Sequence, residues 1–178
     1  MLPIPHAMLD ESDRKLFTLL ALHELGSCSH MQLLYFMFEN DIMSFFDLSL
    51  ALPELVDNGY AAKITHPADN LYVITDAGRE TLKMFANRIP HTKAELIKST
   101  APAWRERFII EKQFVAKTTQ NASGEYVLHL QLVDSAAPLM SIDIPLPERT
   151  LADHMEKRWT KYAGDIYQYI LNKLGGDE

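Results

Sequence analysis

The chain has 178 residues, a 47% apolar share and a formal charge of −7, from 17 basic and 24 acidic side chains. That length allows one or two domains with a real core, and that charge gives the molecule no electrostatic bias toward nucleic acid or anionic membrane. A single cysteine, Cys28, excludes an intrachain disulfide, and no apolar run approaches the roughly 18 residues of a membrane span.

In chain order, "MLPIPHAMLDESDRK" lacks the basic and apolar regions of a signal peptide, so a cytoplasmic protein without membrane contact is expected. "DESDRKLFTLLALHEL" reads as a first helix, capped by Asp10 or Ser12, with Leu16, Leu19, Leu20 and His23 on one side and Gly26 as its stop. Ser29 and Gln32 form a capping-box pair opening a second helix, "HMQLLYFMFEN". Ser44 and Asp47 form another, opening a third helix that leaves through Asn58-Gly59. "YAAKI" and "LYVIT" are strands joined by the turn "THPADN". Three helices and a hairpin are the order of a winged helix-turn-helix. Thr75 caps a fourth helix, "TDAGRETLKMFANRI", which Pro90 interrupts, and the region around Pro90 is the expected domain boundary. Thr92 with Glu95 starts a short helix that Pro102 ends, since the residue before a proline is pushed out of the helical region.

Beyond it the period changes. "RFIIEKQFVAKTT" and "EYVLHLQLVDS" read as strands around the turn "QNASG", and "LMSIDIPL" as a third, so antiparallel strands are expected over about 107–144. Tyr126, Leu128, Leu130 and Leu132 share one face, with His129 and Gln131 on the other, a sheet packed on one side only. A long helix over about 148–174 closes the chain, with Leu151, Met155, Trp159, Tyr162, Ile166, Ile170 and Leu174 as its apolar stripe. The expectation is an α+β chain: a winged-helix domain over 1–89, then a small antiparallel sheet covered by that helix over 90–178.

"LALPELVDNGYAAKI" is similar to the end of the third helix and first wing strand in PadR- and MarR-type regulators. "LYVITDAGRETLKMF" is similar to their second wing strand and next helix, with its Thr-x-x-Gly. "KRWTKYAGDIYQYILNKL" resembles the closing helix of a bacterial family of similar length, known only as a domain of unknown function. The resemblance implies a winged-helix transcription regulator. It implies no activity, ligand or DNA site.

The residues themselves pull against DNA. Residues 1–89 hold 6 basic and 12 acidic side chains, and residues 16–62 hold no lysine or arginine. Non-specific affinity for DNA comes from such cations neutralising phosphates. Pro53 removes a helical hydrogen bond from the third helix and crowds the carbonyl of Ser49. The regular helix then either bends or begins near Pro53. Phe45, Leu48, Leu52 and Leu55 are expected in the core, leaving Asp47, Ser49 and Glu54 as the candidate surface of that helix, beside Asp57. The candidate wing residues are Lys63, His66 and Asn70.

"LLYFMF" gives the second helix no polar side, and such a helix is buried all round. Its cover is either the C-terminal part of the chain or another subunit. Phe36, Phe38, Tyr167 and Tyr169 are therefore the candidate interface of a homodimer, the commonest soluble oligomer. His23, Cys28 and His30 lack a fourth ligand for structural zinc, and no metal site is expected. Asp41 and Asp47 read as loop and cap residues, and "NASG" as a hairpin turn. There is no nucleophile elbow and no phosphate-cradling glycine loop, so neither an enzyme nor a cofactor is expected. Two functions stay open: a regulator-like winged helix with unconventional DNA use, and a winged helix repurposed as a dimeric protein-contact module.

Overall fold

The computed structural model of the protein describes residues 9–65, 70–134 and 137–176. Among them, six α-helices and two three-stranded antiparallel sheets make a mixed α+β chain that closes on a long helix. It divides into two compact units, Met1–Phe108 and Ile109–Glu178. The division lies inside a helix, C-terminal to the expected boundary at Pro90. None of the described helices is long and apolar enough to cross a membrane.

The first unit runs α1 (Glu11–Leu25), β1 (Cys28–Ser29), α2 (His30–Glu39), α3 (Phe45–Asp57), β2 (Ala61–Ile64), β3 (Leu71–Ile74), α4 (Asp76–Phe85) and a 3-10 turn (Ala86–Arg88). Most of α5 (His91–Gln113) follows. Local chemistry sets these boundaries. Gly26 ends α1 at φ 76°, which glycine adopts without steric cost. Ser29 Oγ accepts from the Gln32 backbone N–H at 3.2 Å, and Gln32 Oε1 accepts from the Ser29 N–H at 3.0 Å. Such caps are worth about 1 kcal/mol each. Ser44 Oγ accepts from the Asp47 N–H at 3.1 Å, so α3 begins at Phe45 and carries Pro53 in its interior. A start near Pro53 is thereby corrected: the Ser44 cap sets the start, and buried Leu48, Ala51 and Leu52 hold the turns before the proline.

The Thr-x-x-Gly stretch turns out to be a clasp. Thr75 Oγ1 accepts from the Gly78 N–H at 3.1 Å and donates to the Gly59 carbonyl at 2.7 Å. The Thr75 N–H donates to the Tyr60 carbonyl at 3.1 Å. At Gly78 a Cβ would stand 2.1 Å from that same carbonyl oxygen, so α4 can begin this close only on glycine. β2 and β3 pair antiparallel, Ala61 opposite Ile74 and Lys63 opposite Tyr72. β3 also pairs with the two-residue β1, giving the order β1-β3-β2.

Two expectations beyond Pro90 are corrected. Pro102 does not end a helix but sits inside α5. The run "RFIIEKQ" is the last part of that helix, and strand structure begins only at Phe114. A short apolar run reads as either element by periodicity, and packing decides. Ile97, Ala101 and Phe108 are buried, and Trp104 meets Phe36 and Phe108 edge-on at centroid distances of 5.7 and 5.9 Å. Those contacts offset the roughly 3 kcal/mol an internal proline costs.

The second unit is a sheet of order β4-β5-β6 (Phe114–Gln120, Tyr126–Asp134, Ala137–Leu146) with α6 (Arg149–Gly175) across one face. Leu128 and Leu130 are buried on the covered face, with Tyr126 and Leu132 packed beside them, as the alternation predicts. Trp159 Nε1 donates to the Gln131 carbonyl at 3.0 Å. The packed side of α6 is Ala152, Trp159 and Ala163; Leu151, Ile166 and Leu174 of the expected stripe are exposed. Ala152 and Ala163 let the helix approach the sheet closely on either side of Trp159, while Leu151, Ile166 and Leu174 turn aside. With 27 residues the helix is about 40 Å long, and its last buried residue is Ala163.

Candidate functional site

The outer faces of α2 and α3 are the surface that the sequence singles out. The "LLYFMF" run divides by spacing: Leu33, Phe36 and Met37 are buried, while Met31, Tyr35 and Phe38 are exposed by 47%, 47% and 67%. Phe36 is therefore a core residue and leaves the candidate interface; Phe38 stays in it. The cover over Phe36 comes from Trp104 of α5, within the first unit.

On α3, Leu48, Ala51, Leu52 and Leu55 are buried. Phe45, expected in the core, is exposed, and so is Phe46. Both precede the first buried turn of the helix. Asp47, expected at the surface, is 1% exposed. Its Oδ2 accepts from Ser44 Oγ at 2.7 Å, which turns the carboxylate back over the helix start, and its Oδ1 is buried without a partner among the described residues. Glu54 faces α1, where it meets Lys15 Nζ at 2.9 Å and Arg14 at 3.7 Å. Two of the acids expected to repel phosphate are thus absent from the outer face, which is more apolar than acidic.

Ser49 and Glu54 are half-buried, and of the three candidate α3 residues Ser49 is the one that lines a groove. That groove, of about 310 Å³, is also lined by His30, Pro53, Asp57, Lys63 and Tyr72. Ser49 Oγ donates to the Phe45 carbonyl at 2.8 Å. Pro53 supplies no N–H to the carbonyl of Ser49, so the proline shapes this groove. His30 meets Tyr72 edge-on at 6.5 Å. Lys63 is exposed on β2 and is the one lysine or arginine lining the groove among the described residues. Asn70 is half-buried before β3, and His66 lies outside the described residues.

The remaining candidates are on other elements. His23 is exposed on α1, Cys28 is buried in β1 and Asp41 is exposed with φ 52°. Asp41 and Asp47 differ in setting, one in solvent and one enclosed. On α6, Tyr169 is 63% exposed and Tyr167 half-buried. Lys173 lies 5.9 Å over the Tyr169 ring.

One constellation was not anticipated. Across the open face of the second sheet, Thr119 Oγ1 lies 2.8 Å from His129 Nε2, and His129 Nδ1 lies 2.7 Å from Asp143 Oδ1. A carboxylate only accepts, so the hydrogen bond to Asp143 is donated by His129 Nδ1. The sequence placed His129 on the polar face, but only the register His129 opposite Asp143 and Lys117 reveals its partners. With side chains 38% and 69% exposed, the pair lies in solvent, where such contacts contribute little.

The model of the family described as "Domain of unknown function (DUF4364)" matches residues 14–174. No curated protein and no solved structure matches the chain.

Proposed function

The chain belongs to the family described as a domain of unknown function (DUF4364), matched through both compact units, and from that premise we propose a regulator-like protein acting through protein contact. In this reading the first unit is a winged helix-turn-helix of PadR or MarR type. Its α2–α3 face meets a second copy of the chain instead of reading bases.

One observation carries the proposal: Met31, Tyr35, Phe38, Phe45 and Phe46 are exposed on the two helices, and residues 16–62 supply no lysine or arginine. Exposed apolar clusters mark interaction surfaces, whereas phosphate contact needs cations. Light scattering across a dilution series tests it. The expected mass is twice the chain's 20.3 kDa, reduced to one chain in the double variant Phe38→Glu, Phe46→Glu. A monomeric wild-type chain at about ten micromolar, an affinity in the ordinary range for specific pairing, overturns the reading.

A second reading rests on the groove. His30, Ser49, Lys63 and Tyr72 present polar side chains beside α3, where a regulator of this type meets DNA. Fluorescence titration with own-promoter and random duplexes at several salt concentrations separates the two. Negligible binding at every salt supports protein contact. Sub-micromolar binding with a steep salt slope, lost on Lys63→Ala, supports DNA.

A further inference from the structure

A second cavity of the first unit, about 470 Å³, lies among α1, α4, the 3-10 turn and α5. It stands apart from the α2–α3 face and does not depend on what that face binds. Leu20, Leu82 and Ile89, all buried, form its apolar base. Its rim carries Arg79, Lys83, Lys98 and His23, against one carboxylate, Glu24.

That concentration of cations stands out in an acidic region. Residues 1–89 contain only 6 basic side chains against 12 acidic ones, and two of the six, Arg79 and Lys83, line this cavity. Several other cations of the unit are engaged. Arg14 and Lys15 meet Glu54, Arg105 donates to the Glu24 carbonyl, and Lys93 donates to the Asp41 carbonyl. Lys83 and Lys98, by contrast, make no hydrogen bond or ion pair among the described residues. Arg79 uses its Nε on Asp76 at 3.3 Å, and its two terminal nitrogens remain for an acceptor.

We propose that this cavity binds a small amphipathic monoanion, a single anionic head on an aliphatic body of about six to ten carbons. The cationic rim selects the head and the leucine and isoleucine base selects the body. An inorganic anion gains only from the rim, and a neutral hydrocarbon only from the base. Nucleic acid presents charge but no aliphatic body to bury. Each buried methylene contributes about fourfold in affinity, and each exposed lysine up to about fivefold.

Calorimetric titration of the full chain with octanoate, octanol, octylammonium and acetate tests the proposal. Octanoate binds saturably with a dissociation constant below about 1 mM, and hexanoate about tenfold or more weakly. Octanol, octylammonium and acetate each bind at least about tenfold more weakly than octanoate. The double variant Lys83→Glu, Lys98→Glu weakens octanoate by about tenfold or more, and Lys83→Gln, Lys98→Gln weakens it less. Both positions are exposed, and unchanged circular dichroism shows that the fold persists. Equal binding of octanol and octanoate overturns the proposal, as does an octanoate affinity indifferent to both double variants. Absence of saturable octanoate binding overturns it outright.

Discussion

The two units bury their apolar residues in different ways. In the first, side chains from α1, α2, α3, α4, α5 and the paired strands β2 and β3 converge, with Leu22, Leu33, Phe36, Met37, Leu48 and Ile97 at zero exposure. In the second, one helix lies on one sheet face, and six buried residues form the core among the described residues. A core closed on all sides cannot collapse around a lost side chain, whereas a single layer can adjust along its open edges. The difference also locates the leftover apolar surface. The first unit leaves it where two helices run out of neighbours, at Tyr35, Phe38, Phe45 and Phe46, and the second along an α6 longer than the strands beneath it.

The sharpest way to break this comparison is within one helix. Phe36→Ala removes a fully enclosed ring that Trp104 meets edge-on, and its expected cost is about 3–5 kcal/mol. Phe38→Ala, two residues away and 67% exposed, is expected to change monomer stability by less than about 0.5 kcal/mol. Urea unfolding followed by circular dichroism measures both. Similar costs at the two positions would show that α2 is not divided into an inner and an outer face.

Trp159→Phe probes the single-layer core. The change deletes the indole N–H that donates to the Gln131 carbonyl and part of a buried ring. The expected loss is about 1–2 kcal/mol, the cost of one unmade hydrogen bond and a small void. Hydrogen exchange is the measurement, with β4, β5 and β6 amides losing protection and α1 amides unchanged. Equal loss of protection in α1 would mean that the units unfold as one.

How much of this was legible in the residues follows from the range of each signal. Caps at Ser29, Ser44 and Thr75 are local, and all three side chains cap as the spacing predicts. The alternation in "YVLHLQLV" is local too, and its leucines do face α6. Pro102 was misleading because the packing of Trp104 and Phe108, far from it in cause though near in sequence, decides that α5 continues. The α3 surface was misjudged for the same reason. Asp47 turns back onto Ser44 and Glu54 is drawn to α1, and neither orientation is written in a helical wheel. The cavity rim combines Arg79 and Lys83 with Lys98 from another helix, a grouping that only tertiary structure creates.

The smallest expected effect belongs to that α1–α3 contact. Lys15 lies between Glu11 and Glu54, and its hydrogen bonds to them hold its pKa above the usual 10.5. The same hydrogen bond from Lys15, aided by its charge, holds Glu11 below the usual 4.5. A raised lysine contributes stability that is complete below 10.5 and is lost as pH climbs through its higher folded value. A lowered carboxylate contributes above 4.5 and loses that contribution as pH falls through its lower folded value. Between these limits the cluster titrates little, so Lys15→Met should lower Tm by a nearly constant amount from about pH 5 to pH 10, no more than about 2 °C because the site is superficial. The gap between variant and wild type should close at both extremes. Thermal melts across that range decide it: a gap that changes between pH 6 and pH 8 points to a histidine, and then the Glu11–Lys15–Glu54 cluster is not what joins the start of α1 to α3.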